Sequence, residues 1–182
     1  MKQALLVIDI QNDYFPGGAM ELAGSPEAAH NAATLLAAFR DKGLPVIHVQ
    51  HLAAREGATF FIPGTAGAGI HPSVAPRDGE LVITKHFPSC FRGTPLLDVL
   101  KGEGIGTLVV AGMMTHMCVD TTVRAAFDLG FTCLLAHDAC ATRALSFGDR
   151  TVSAPDVHSA YIAALHGTFA KAISTEEVSA SL

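Results

Sequence analysis

The segment Thr107-Leu-Val-Val-Ala-Gly-Met-Met-Thr-His-Met-Cys118 decides the fold, because it joins an apolar run to a glycine and a cysteine. The run at 107–111 predicts a buried strand, and residues 119–129 predict a helix that ends at Gly130. Cys118 is therefore expected where a parallel strand passes into a helix, at the edge where open α/β sheets bind ligands. Since a helix N-terminus lowers the pKa of a thiol, we expect a reactive thiolate at Cys118.

The rest of the chain repeats this alternation of strands and helices. Strands are predicted at 4–8, 45–49, 81–84, 107–111, 131–136 and 170–173, and helices at 26–42, with Ser25 as N-cap, 94–101, 119–129 and 155–169. Alternation of this kind favours an α/β fold, with a mostly parallel sheet of five or six strands covered by helices on both faces. The length of 182 residues predicts a single domain over 1–182.

The charge and composition of the chain indicate which binding partners and which cellular compartment to expect. The net charge is −5 and lysines and arginines do not cluster, so neither nucleic acid nor an anionic membrane is an expected partner. No apolar run approaches the length of a membrane span. The four cysteines lack CxxC spacing, which predicts a reduced, cytoplasmic protein. Hydrophobic residues make up 49% and charged residues 16% of the chain, which suits buried strands and predicts a homo-oligomer.

Polar residues at three predicted strand ends carry the functional hypothesis. Asp9 follows the first strand, Lys85 the third and Cys118 the fourth. The carboxyl ends of parallel strands share one edge of the sheet, so these side chains are expected to meet there. A thiol beside an ammonium group and a carboxylate that carries protons suits acyl transfer to a small-molecule substrate through a thioester.

Other interpretations of the same residues remain open at this stage. A lone cysteine after a strand is most often a small buried hydrophobe, which would make the chain a non-catalytic α/β module that binds a small molecule. Cys118 and Arg124 have the C-x5-R spacing of cysteine phosphatases, but the residues between them predict a helix rather than a phosphate loop. The first strand is not followed by G-x-G-x-x-G, which argues against a dinucleotide site.

Four segments in the same order resemble the isochorismatase-like cysteine hydrolases. They are Asp9 to Tyr14 (D-x-Q-N-D-Y), Lys85 to Thr94, Gly112 to Val119 (G-x-x-T-x-x-C-V) and Asp138 to Thr142 (D-A-C-A-T). The resemblance implies a Rossmann-like three-layer α/β/α fold and an Asp9–Lys85–Cys118 catalytic triad. It also implies a cis peptide bond between Met113 and Met114, and an oxyanion hole formed by the backbone N–H groups of Met114 and Cys118.

The resemblance also suggests which reaction to expect. Retention of Cys118 favours hydrolysis of a C–N bond in an amide, cyclic amide or ureide, with vinyl-ether hydrolysis of the isochorismatase type as the alternative. Related nicotinamidases carry an Asp-x-His metal element after the second strand, where this chain has His48-Val49-Gln50-His51. No metal and no cofactor are therefore expected.

Six residues are candidates for contact with the substrate. Tyr14 matches an aromatic position of the family, and three residues flank the predicted nucleophile in sequence. Two more lie in the long segment 51–77, which has little periodicity and is expected to wall the pocket or to pack on a neighbouring subunit. The six candidates are Tyr14, Phe60, Phe61, Met113, His116 and Met117.

Overall fold

The computed structural model describes residues 2–182, and its centre is a sheet of six parallel strands. The strands of this sheet are β1 (Lys2–Ile8), β2 (Val46–His51), β3 (Leu81–Lys85), β4 (Ile105–Met113), β5 (Thr132–Ala141) and β8 (Lys171–Ile173), and two further strands are β6 (Leu145–Phe147) and β7 (Arg150–Val152). The α-helices are α1 (Ser25–Asp41), α2 (Leu96–Gly102), α3 (Asp120–Asp128), α4 (Ala154–Leu165) and α5 (Thr175–Ser181). The sheet order is β3-β2-β1-β4-β5-β8, with β6 and β7 paired as a separate hairpin.

Helices cover both faces of this sheet, because its central strands are apolar on both sides. Along β1, Leu5 and Val7 join one buried cluster while Leu6 and Ile8 join the other. The first cluster includes residues of α1 and α5, and the second includes residues of α2, α3 and α4. The predicted three-layer α/β arrangement with a mostly parallel sheet is therefore confirmed. Within residues 2–182, no helix has both the length and the apolar content needed to cross a bilayer.

Some element boundaries differ from the sequence prediction. Ser25 is the first helical residue of α1 rather than its N-cap, and its hydroxyl donates to the carbonyl oxygen of Leu22 at 3.2 Å. Gly24, with φ of 73°, holds the cap position instead. Strand β5 continues to Ala141, well past the predicted end at residue 136, because an irregularity in its pairing with β4 lets the polar 137–138 segment remain in the strand.

The two elements missed by the sequence prediction are short and mostly exposed. The β6–β7 hairpin presents Phe147 almost fully to solvent, so it lacks the apolar alternation that marks a half-buried strand. Helix α5 begins with a capping box between Ser174 and Glu177. That Ser-x-x-Glu pattern is a sequence signal that would have identified the helix.

Candidate active site

Two backbone features join β1 to its neighbours β2 and β4 at the carboxyl edge of the sheet. Asp9 follows β1 with φ of 50°, a left-handed conformation that aspartate adopts more readily than most residues. Its N–H donates to the carbonyl oxygen of Val49 at 3.0 Å, and the residue is completely buried. On β4, a Cβ atom at Gly112 would lie 2.1 Å from the carbonyl oxygen of Ile8. Glycine is therefore required at 112 for the strands to approach this closely.

The ammonium group of Lys85 joins the polar side chains that end three neighbouring strands. Its Nζ lies 2.7 Å from Oδ2 of Asp9, 3.2 Å from Sγ of Cys118 and 2.9 Å from Nδ1 of His51. A fourth contact, at 3.2 Å, goes to the carbonyl oxygen of Phe87. The structure thus brings Asp9, Lys85 and Cys118 together, as the strand-end argument predicts.

Burial and the neighbouring charges both shift the pKa values of Lys85 and Cys118. Burial lowers the pKa of Lys85, but the neighbouring acidic groups, of which the Asp9 carboxylate has the largest effect, outweigh it, so the net pKa is raised and the ammonium stays protonated. Burial raises the pKa of the Cys118 thiol, and the neighbouring Asp9 carboxylate raises it further, while Lys85 offsets only part of this. The prediction that the strand-to-helix position lowers the thiol pKa is therefore wrong for the unliganded chain. Cys118 rests as a neutral thiol in contact with a carboxylate.

A single π-helical turn carries the cysteine. The turn covers Thr115–Val119 and leads directly into α3, so the helix that the sequence predicts from residue 119 is preceded by a wider turn. The peptide bond between Met113 and Met114 is cis. The carbonyl oxygen of Met114 accepts from the N–H of Met117 at 3.0 Å. The turn therefore begins directly after the cis bond and carries Cys118 into α3.

His51 is the residue of this cluster that sequence reasoning missed. It was expected in a loop, but it is the last residue of β2 and occupies the same edge as Asp9 and Lys85. Burial lowers its pKa to about 4 and the Lys85 ammonium adds to that effect, so the imidazole is neutral near pH 7. Its Nδ1 must then accept the hydrogen bond from Lys85. A polar residue ending a strand was the available signal, and the underestimated length of β2 concealed it.

Comparison with known proteins agrees with this geometry. The family model of the isochorismatase domain matches residues 3–177. The isochorismatase family protein YddQ of Bacillus subtilis, whose activity is uncharacterized, is 52% identical over 97% of this chain and 98% of its own length. The chain belongs to the isochorismatase family.

Two further relatives place this family member among hydrolases. A crystal structure from Oleispira antarctica, assigned to the isochorismatase hydrolases, superposes with a TM-score of 0.95 at 49% identity, covering 98% of this chain and 96% of that one. Maleamate amidohydrolase of Pseudomonas putida is 31% identical over 78% of this chain and 73% of its own length. The chain is thus an isochorismatase-family hydrolase by relationship, and its reaction is taken up below.

The Gln11-Asn12-Asp13 part of the family motif holds the long 52–80 segment against the site. The carboxamide of Gln11 bonds to both backbone groups of His51, at 2.9 and 2.8 Å, and to the carbonyl oxygen of Ala68 at 2.8 Å. Asn12 donates to Ala66, and Asp13 accepts from the N–H of Phe61 at 2.6 Å. These buried polar side chains therefore act as anchors for the segment that covers the site.

The aromatic candidates form one group beside the cluster. The ring of Tyr14 lies 4.6 Å from that of Phe61 and 6.0 Å from that of Phe60, and Tyr14 and Phe61 are both buried. A cavity of about 320 Å³ is lined by Phe60, Phe61, His51 and His86 among others. Because His51 touches Lys85, this cavity borders the polar cluster.

The candidates that flank Cys118 are distributed differently. Met113 is completely buried in the cluster that includes residues of α1, whereas Met117 is 39% exposed. His116 is nearly buried, with Nδ1 bonded to the hydroxyl of Thr142 and Nε2 lacking a partner among residues 2–182. Burial lowers the pKa of His116, so it is neutral near pH 7.

A metal ion would have to compete with the lysine for this site. One donor atom each from Asp9, His51 and Cys118 lies within 4.8 Å of the others, a spacing that suits coordination. The Lys85 ammonium, however, lies within hydrogen-bond distance of all three residues. His48, the other histidine of β2, is buried against Glu80 instead, with Nε2 and Oε2 at 3.0 Å.

Proposed function

We propose that this protein is a cysteine hydrolase that cleaves a C–N bond of a small amide, cyclic amide or ureide through a thioester. The observation that carries the proposal is the contact of the Lys85 ammonium with both the Asp9 carboxylate, at 2.7 Å, and the Cys118 sulfur, at 3.2 Å. All three side chains are buried, so the charges of Asp9 and Lys85 act strongly on each other and on the thiol. The relationship to maleamate amidohydrolase supports amide chemistry in particular.

Formation of the acyl-enzyme starts from the neutral thiol. Oδ1 of Asp9 accepts no N–H or O–H group within residues 2–182, which leaves it free to take the thiol proton. As the Cys118 sulfur bonds to the carbonyl carbon, its proton passes to Asp9 and negative charge develops on the carbonyl oxygen. The N–H groups of Met114 and Cys118 receive that oxygen, a contribution that typically accounts for roughly 3 kcal/mol per donor.

Breakdown of the tetrahedral adduct and hydrolysis of the thioester restore the starting protonation of Asp9 and Cys118. When the C–N bond breaks, Asp9 passes its proton to the departing nitrogen, and the acyl group stays on Cys118 as a thioester. Water then attacks the thioester carbon and gives one proton to Asp9. The carboxylic acid leaves, and Asp9 returns the proton to sulfur.

Lys85 and His51 keep this proton path in place. The ammonium stabilises the developing thiolate and the Asp9 carboxylate without giving up its own proton, since its pKa is raised. Neutral His51 accepts one Lys85 hydrogen at 2.9 Å and thereby orients the other hydrogens toward Asp9 and Cys118. His51 is therefore a positioning residue rather than a catalytic one.

The test is a hydrolysis screen over small amides, cyclic amides and ureides, monitored for ammonia and free amine. Wild-type protein is expected to release amine and to show an acyl adduct on Cys118 by intact mass, and Cys118→Ala is expected to do neither. Release of pyruvate from isochorismate by Cys118→Ala would favour vinyl-ether hydrolysis instead. Turnover of no compound, together with tight binding of an intact one, would favour the binding module.

Two expectations from the sequence remain proposals. We infer a homo-oligomer from the apolar composition and from exposed apolar residues such as Phe147, which is 93% exposed. Light scattering measures the oligomeric state, and a monomer at micromolar concentration would contradict this inference. A cytoplasmic location is the second proposal, and fractionation of cells tests it.

A further inference from the structure

The turn that carries Cys118 is held from outside by helix α4. The hydroxyl of Thr115, the first residue of the turn, lies 3.0 Å from Nδ1 of His158, and Thr115 is completely buried. The next residue of the turn is also contacted, because the ring of Tyr161 lies edge-on to that of His116, with 5.9 Å between the ring centres. Helix α4 therefore contacts both residues that open the turn.

Helix α4 is a fixed support for these two contacts. Ser153 is its N-cap and accepts from the N–H of Asp156 at 3.3 Å, and Leu165 at its other end is completely buried. Leu165 belongs to the buried cluster that also contains Cys118. Positions 158 and 161 are three residues apart, which places both on one face of the helix. The helix is therefore anchored on either side of the face that meets the turn.

The backbone of the turn connects Thr115 to the proposed oxyanion hole. Two backbone hydrogen bonds close the wide turn, from the N–H of Val119 to the carbonyl oxygen of Met114 at 3.3 Å and from the N–H of Asp120 to that of Thr115. Met114 and Cys118 supply the N–H groups of the proposed mechanism, and Thr115 directly follows Met114. A misplacement of about 1 Å in an active site can cost roughly 10²-fold in rate. The position of Thr115 therefore matters for the direction of the Met114 donor.

We propose that His158 is a positioning residue, which through Thr115 holds the Met114 N–H where negative charge develops on the carbonyl oxygen of the substrate. The inference rests on the proposed function, because it assigns His158 to the oxyanion hole of that mechanism. His158 bonds to a hydroxyl of the turn and acts through it rather than on the reacting atoms. An oxyanion forms only when a carbonyl carbon is attacked. Loss of the imidazole should therefore slow acylation of Cys118 but not reactions of its thiol that involve no carbonyl group.

Two reactions of Cys118, each assigned by peptide mass, test this role. The thiol attacks p-nitrophenyl acetate through an oxyanion and releases nitrophenolate, whereas iodomethane methylates the sulfur by loss of iodide. His158→Leu is expected to slow acylation about tenfold, the effect of one hydrogen bond, and to leave methylation within about twofold of wild type. His158→Asn, whose amide lies near the position of Nδ1, should recover most of the loss. Ser159→Ala, which changes an exposed neighbour on α4, should keep both rates.

The hydroxyl of Thr115 supplies a second variant. Thr115→Val removes the hydroxyl but keeps the shape of the side chain, and it should slow acylation by the same factor as His158→Leu. Because both substitutions break one hydrogen bond, Thr115→Val/His158→Leu should be no slower than either single variant. With an amide substrate, each single variant should lower kcat and leave KM little changed. Thr115→Val also decides the question if His158→Leu does not fold.

The outcomes separate the role of His158 from the proposed function. That role is wrong if acylation and methylation slow equally, if His158→Leu or Thr115→Val is acylated at the wild-type rate, or if the two losses add in the double variant. If wild-type protein is methylated but not acylated, the proposed thioester chemistry is wrong and this inference with it. If acylation depends on His158 but wild-type protein hydrolyses no amide, cyclic amide or ureide, the role of His158 stands and the proposed reaction does not.

Discussion

The two ends of the central sheet carry similar numbers of charged side chains but use them differently. At the amino edge, a cleft of about 540 Å³ is lined by Lys2, Arg40, Glu80 and Glu103 among others. These charges are paired: Lys2 with Glu103 at 2.9 Å, and Arg40 with Glu80 at 2.7 Å. These four charges of the larger cleft are therefore neutralised by one another rather than left for a ligand.

At the carboxyl edge the cavity is smaller, about 320 Å³, but polar groups are buried and incomplete. Oδ1 of Asp9, Nε2 of His116 and Nε of Arg143 are all buried without hydrogen-bond partners in residues 2–182. Keeping such groups in a fold costs free energy unless water or a bound ligand completes their hydrogen bonds. Beside Glu80, the described residues leave one such atom, Nδ1 of His48, so the carboxyl edge differs in having several of them.

Removal of the nucleophile should have the largest effect. Cys118→Ala is expected to lower kcat by more than about 10³-fold on the best substrate of the screen, because no other group forms the acyl bond. The fold should persist, since the thiol is small. Cys133→Ala is the matched control, because it removes a buried thiol near the start of β5. Comparable losses in both variants would contradict the assignment.

Substituting the lysine of one ion pair at each edge of the sheet compares how much the two pairs contribute to the free energy of unfolding. Lys85→Met leaves the buried Asp9 charge uncompensated and is expected to cost about 3–5 kcal/mol of unfolding free energy at pH 7. Lys2→Met breaks an exposed pair and should change it by less than about 1 kcal/mol. Urea denaturation measures both. If Asp9→Asn/Lys85→Met is no more stable than Lys85→Met, uncompensated charge is not the cause of the loss.

Substitution of His51 tests its positioning role. His51→Leu removes the acceptor for Lys85 and is expected to lower kcat about tenfold, the size of one hydrogen bond, with KM little changed. His51→Asn places an oxygen near the position of Nδ1 and should recover most of the loss. Steady-state kinetics with one amide substrate measures both variants. If Asn and Leu at 51 are equally impaired, the imidazole does not act through Lys85.

The smallest effects are expected in the pH dependence of stability. The pKa of His51 is lowered to about 4 from a usual value near 6.5, so the unfolded chain binds more protons between these values. Its contribution is fully present above pH 6.5 and is lost as the pH falls toward 4. The pKa of Glu80 is lowered to about 2, mainly by Arg40, so its contribution is lost from about pH 4.5 down to 2.

Unfolding curves at several pH values separate the two windows. His51→Asn should reduce the slope between pH 6.5 and 4, to which His48, His116 and His158 also contribute because their pKa values are lowered, and should leave the lower window unchanged. Glu80→Gln should flatten the window from 4.5 to 2. Glu80 also bonds to His48, so Glu80→Gln is expected to shift the upper window as well. If His51→Asn alters the lower window, the two ends of the sheet are electrostatically coupled and do not differ in the way described.

Much of this site was predictable because parallel strands end at a common edge. Asp9, Lys85 and Cys118 are separated by long stretches of chain, yet each follows an apolar run, and the alternation of strands and helices implies that these runs are parallel. The same argument did not identify His51 as a site residue, because β2 was predicted to end at residue 49.

The amino-acid sequence alone determined the layer architecture and the convergence of three reactive groups, because apolar periodicity and strand ends are local properties of the chain. Only the tertiary structure decided the protonation of those groups and the partners they lack. Burial raises the pKa of Cys118 despite its position before a helix, and it leaves Arg143 without a counter-ion. Desolvation and pairing depend on what surrounds an atom from every side, and residues distant in sequence supply those surroundings.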